Sequence, residues 1–115
     1  MIFVSRYIPV LCAICTLLIP ALSQAAAGWT GDVKVRELIP TNRHYYEIRL
    51  EVRDNPSGCR EKNLFYLNYE ARGADKIFDL FVDNIKSELR LQVYVTGVCN
   101  TNGYSEISSV RASPN

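Results

Sequence analysis

The chain has 115 residues, 48% of them hydrophobic, with 13 Lys+Arg against 12 Asp+Glu and a single histidine. That length holds one domain. The balanced charge, with acids and bases interleaved, excludes the one-sided basic excess of a nucleic-acid binder and gives no long-range pull on anionic partners.

The N-terminus reads in three parts. Met1 to Tyr7 carries one charge, Arg6. Ile8 to Leu22 is apolar apart from Thr16, with Pro9 and Pro20 near its ends. Ser23 to Gly28 is rich in small residues. A charged start, an apolar run of about 15 residues and a small-residue end form a secretory signal. Residues 1–27 are therefore expected to be removed, with the cut after Ala25 or Ala27, since both sites have small residues at −1 and −3. A bilayer span needs about 20 apolar residues, so no membrane span is expected after cleavage. Cys12 and Cys15 follow Leu11 and Ile14, which are too large for a lipidation site, and are expected to leave with the leader.

Residues 28–115 are then one domain with equal numbers of acids and bases, destined for the periplasm or the medium. Cys59 and Cys99 are its two cysteines. In an oxidising compartment such a pair is expected to form a disulfide. A metal site fails on arithmetic, because two thiolates and His44 do not make four ligands. No metal and no cofactor are expected.

Gly28 to Asp32 reads as an entry segment without regular structure, and Val33 to Ile39 as the first strand. Pro40 to His44 is turn chemistry. Tyr46, Ile48, Leu50 and Val52 alternate with Tyr45, Glu47, Arg49, Glu51 and Arg53, the mark of a half-buried second strand. Asp54 to Gly58 is a turn, and Leu64 to Tyr69 is an aromatic third strand. From Ala74 to about Ser87 the period changes. Ile77, Leu80, Phe81 and Ile85 fall on one face of a helix, with Asp75 in its first turn. Leu89 to Thr96 alternates as a fourth strand, Gly97 to Gly103 is a loop, and Tyr104 to Val110 is a fifth strand.

This order makes the fold mainly β (α+β): an OB-like five-stranded barrel, or a strongly twisted sheet, with one helix between the third and fourth strands and one disulfide. One tension is internal to that expectation. A helix of about 13 residues spans about 20 Å, enough to carry the chain back along the sheet. The third and fourth strands would then run the same way, and Cys59 and Cys99 would lie at opposite ends. A disulfide needs Cα atoms within about 7 Å.

A leader followed by Trp29-Thr30-Gly31-Asp32, and a helix leading into Leu91-Gln92-Val93-Tyr94-Val95, resemble the B subunits of subtilase cytotoxin and pertussis-like toxins. The resemblance implies an OB-fold, assembly into pentameric rings and binding of cell-surface glycans. It transfers no sugar-contacting residue to a position of this chain.

No catalytic signature is present. His44 sits beside Arg43 in a polar turn and reads as solvated. Glu47 and Glu51 flank Arg49, and read as an ion-pair ladder rather than as the paired carboxylates of a glycosidase. Tyr45, Tyr66, Tyr94 and Tyr104 exceed what a core this small readily takes, which places aromatic rings on an outer face. The candidate ligand-binding residues are His44, Tyr45, Tyr94, Asn100, Asn102 and Tyr104, with Asn100 to Gly103 as a polar loop stapled by Cys99. The expected function is that of a non-enzymatic module for a glycan or for an envelope or secreted protein, with an oligomer compatible. The alternative is a small periplasmic inhibitor or accessory protein that inserts a loop into an envelope enzyme.

Overall fold

The computed structural model describes residues 26–114, so most of the expected export segment lies outside the described residues. Among the described residues, six strands and one helix follow in chain order: β1 (Gly28–Trp29), β2 (Lys34–Pro40), β3 (Tyr45–Glu51), β4 (Leu64–Asn68), α1 (Ala74–Lys86), β5 (Arg90–Cys99) and β6 (Ser105–Ser113). They form one mixed sheet in the order β1-β5-β6-β4-β3-β2. Only β4 and β6 pair in parallel, and every other neighbouring pair is antiparallel. Among the described residues no helix is long and apolar enough to cross a membrane.

Three expectations are corrected. The entry segment contributes a strand, because Gly28 and Trp29 pair with Val95 and Tyr94. The sheet therefore has six strands, and the helix falls between the fourth and fifth. Nor is the sheet a closed barrel. β1 and β2 stand at its two ends, and after the single bridge of Val33 to Leu91 the chain leaves β5 and pairs along β3 instead. Finally, β4 and β5 run in opposite directions, since β6 between them is parallel to β4 and antiparallel to β5. The helix does not return the chain along the sheet but packs on β2 and β6. Cys59, just before β4, and Cys99, at the end of β5, consequently meet at the same end. They are bonded, with Cα atoms 5.7 Å apart.

The period-two pattern explains which faces are buried. Val35, Ile48, Leu50, Phe65, Leu67, Leu91, Val93, Val95 and Ile107 turn to one side of the sheet, and Phe81 and Ala74 of α1 meet them there. Each large apolar side chain so buried contributes about 1.5–3 kcal/mol. On α1 the packed stripe runs through Ala74, Ile77, Phe81 and Asn84, leaving Ile85 exposed. Asn84 sets that rotation: its Oδ1 accepts from Val35 N at 3.0 Å and its Nδ2 donates to Leu89 O at 2.7 Å. The expected charge ladder is realised across β2 and β3, where Arg36 pairs with Glu51 and Arg49 with Glu37.

Candidate functional site

The outer side of the sheet is the set of positions alternate to the core. Phe65 and Leu67 face inward, so Tyr66 and its strand-mates Leu64 and Asn68 face out. By the same rule Tyr45 and Glu47 of β3, Glu106 of β6, and Tyr94 and Thr96 of β5 share that outer side. The register places Tyr66 beside Glu47 on one flank and Glu106 on the other, and Tyr45 opposite Asn68.

At the centre is Tyr66, only 8% exposed although it lies on the outer side. The edge of one ring meets the face of the other between Tyr45 and Tyr66, with centroids 5.8 Å apart, a geometry that aromatic quadrupoles favour. Beside Tyr66 the Glu106 carboxylate is held from two directions. Thr96 Oγ1 donates to one oxygen at 2.7 Å, and Asn68 Nδ2 donates to the other at 3.0 Å. Burial, then the Glu106 charge, pushes the Tyr66 phenol above its ordinary range. A shallow cleft lined by His44, Asn68, Glu70 and Ala71 adjoins this patch.

Two turns flank it. At one end the β2–β3 turn brings His44, exposed and in the left-handed backbone region (φ 74°), next to Tyr45. The His44 carbonyl accepts from Tyr69 N at 2.9 Å, which ties this turn to the end of β4. At the other end the β5–β6 turn is built around Asn100. Its Oδ1 accepts from Asn102 N at 3.0 Å and from Tyr104 N at 2.9 Å. Arg60 donates to Asn102 O at 2.6 Å, and the disulfide anchors the strand before the turn. Gly103 is required here: its φ is 83°, and a Cβ would lie 3.0 Å from Arg60 Cβ.

The six sequence-predicted residues therefore do not converge on one spot. His44 and Tyr45 sit at the β2–β3 end; Asn100, Asn102 and Tyr104 form the opposite turn. Asn100's side-chain oxygen is occupied by the turn itself. Tyr94 belongs to a third cluster, where it lies edge-on to Trp29 at 5.4 Å. The Arg111 guanidinium covers that indole at 4.1 Å and donates to Gln92 at 2.9 Å. Gln92 and Arg90 in turn donate to Asp32, so this cluster is satisfied within itself and holds β1 on the sheet. Sequence reasoning missed Asn68, Thr96 and Glu106. Their outward positions were legible from alternation, but the parallel β4–β6 pairing that gathers them joins segments about forty residues apart. No family model, curated protein or solved structure matches this chain.

Proposed function

We propose that this chain is an exported binding domain without catalysis of its own. Its binding surface is the outer face of β3, β4 and β6 between the β2–β3 and β5–β6 turns. The observation that carries this is the patch of Tyr45, Tyr66 and Glu106. Rings packed edge to face and a carboxylate oriented by Thr96 and Asn68 are rigid before any ligand arrives. Pre-organisation of this kind lowers the entropy cost of binding.

The topology supports the choice of face. Strands β2 to β6 follow an OB-like arrangement in order and direction, with the helix before β5 and one bridge from Val33 to Leu91. Partly open OB barrels take ligands on the face and loops that correspond to β3–β4 and these two turns. The disulfide and the balanced charge suit life in the periplasm or the medium. The resemblance to toxin B subunits adds glycans and ring assembly to the candidates.

The test is a glycan array and a pull-down from envelope extracts, run with the native protein, with Y45A and with K76A on the exposed side of α1. A bound glycan or protein is expected. Binding should fall about three- to tenfold in Y45A, the worth of one aromatic contact, and stay unchanged in K76A. Empty arrays and empty pull-downs, or Y45A binding like the native protein, would overturn the proposal.

A second role is favoured by one observation. The β5–β6 turn is held by Asn100, Arg60 and the disulfide, with Asn102 exposed at its tip. A rigid exposed loop is what an inhibitor inserts into an enzyme cleft. Capture of an envelope enzyme lost in N102A but retained in Y45A would select this role.

A further inference from the structure

We propose that the outer face takes a cationic side chain, an arginine or lysine of a partner protein, onto the Glu106 carboxylate against the Tyr45–Tyr66 rings. The proposal rests on the binding face described above and names what that face recognises.

The charge pattern comes first. Acids on and beside the flanking strands have basic partners: Glu37 pairs with Arg49, Glu47 with Arg43, Glu51 with Arg36 and, just before β2, Asp32 with Arg90. Glu106 is the exception on this face. Among the described residues no Lys, Arg or His nitrogen lies within 4.0 Å of it. It is half-buried, so its charge is screened less than that of an acid in open water. Glu70, which lines the adjoining cleft, also lacks a basic partner among the described residues.

The hydrogen-bond inventory comes second. The donors around Glu106 are already directed at it: the Thr96 hydroxyl proton goes to Oε1 and the Asn68 amide to Oε2. What Glu106 itself still offers a ligand is acceptor capacity, since an ionised carboxylate has about four acceptor sites and two are occupied here. The Asn68 Oδ1 is a further acceptor. A sugar hydroxyl brings one proton to these acceptors and would use the Tyr45 and Tyr66 hydroxyls for its own lone pairs. A guanidinium offers five donors and no acceptor, and an ammonium three and none. The complement of the Glu106 and Asn68 acceptors is a multi-donor cation.

Aromatic geometry comes third. The face already holds one cation on a ring, with the Arg43 guanidinium 5.7 Å from the Tyr45 centroid. That distance lies within the range in which a ring quadrupole attracts a cation. A partner's side chain that reaches Glu106 meets the part of the Tyr45 ring left exposed, while Tyr66, 8% exposed, backs that ring from the sheet.

The test uses the intact folded protein, labelled with ¹⁵N, titrated with Nα-acetyl-arginine methylamide. The uncharged isostere Nα-acetyl-citrulline methylamide and the neutral sugar methyl glucoside are run at matched ionic strength. The expected result is a saturable millimolar shift of the Tyr66, Asn68 and Glu106 amides with the arginine probe alone. In E106Q, whose amide keeps the shape of the side chain, that affinity should fall at least about tenfold, with the rest of the spectrum unmoved. Equal shifts with citrulline, or E106Q binding like the native protein, would overturn the cation assignment. Sugar shifts on these same amides with arginine silent would overturn it too, while leaving the binding face intact. Shifts confined to other surfaces, or none with any probe, would remove both.

Discussion

Breaking the Cys59–Cys99 bond by the double substitution C59A/C99A should cost this domain much of its stability. The bond closes a loop between residues 40 positions apart. In the chain-entropy account, a closed loop of that size removes from the unfolded chain freedom worth about 4 kcal/mol at 25 °C. The Ser57, Ser105 and Asn55 hydrogen bonds beside it act on the folded state only and do not replace that term. For a domain of this size each kcal/mol moves the melting temperature by roughly 4–8 °C, so a fall of roughly 15–30 °C is expected. Urea melts of the oxidised protein and of C59A/C99A supply the free energies. The uncrosslinked chain should also show a steeper denaturant dependence, because its unfolded state exposes more surface. A free-energy loss below about 1 kcal/mol, with unchanged slope, would refute the loop-closure account.

Three further outcomes follow from named contacts. F81A empties the centre of the interface between α1 and the sheet, where Phe81 has no exposed surface, and should cost about 3–5 kcal/mol in a urea melt. N84L leaves the Val35 amide without its acceptor and the Leu89 carbonyl without its donor; a loss of about 1–3 kcal/mol is expected, with faster amide exchange at Val35. The phenols of Tyr46 and Tyr66 are pushed up, both first by burial, then by the Asp75 hydrogen bond and the Glu106 charge respectively. A raised folded-state pKa gives stability that is complete below the ordinary tyrosine range and lost as pH rises through the raised values. Denaturant midpoints should therefore hold at neutral pH and drop in strong alkali, with a smaller drop in Y66F.

Much of the fold was written locally. The alternation of Tyr46, Ile48 and Leu50 marks β3, and the change of period at Ala74 marks α1, because side-chain burial repeats every two residues in one and every 3.6 in the other. What sequence did not reveal was non-local. Gly28 and Trp29 are too short a run to show a period, and become a strand only because β5 offers them an edge. The direction of β5 relative to β4 depends on where α1 packs, so the disulfide looked strained until β6 came between those two strands. The candidate site divides in the same way. Tyr45 and the two turns were visible from composition. Glu106 with Thr96 and Asn68 required the register of three strands. Asn100, which seemed a ligand-facing amide, is the turn's own hydrogen-bond acceptor.

The central claim is that ligands meet the outer face of β3, β4 and β6. The most direct measurement is amide chemical-shift mapping of the folded ¹⁵N-labelled protein with the strongest binder from the glycan array and the pull-downs. Perturbations are predicted at Tyr45 to Glu47, Tyr66 to Asn68 and Glu106, fading toward Trp29 and Arg111. Perturbations gathered instead at Asn100 to Tyr104, or on α1, would contradict it.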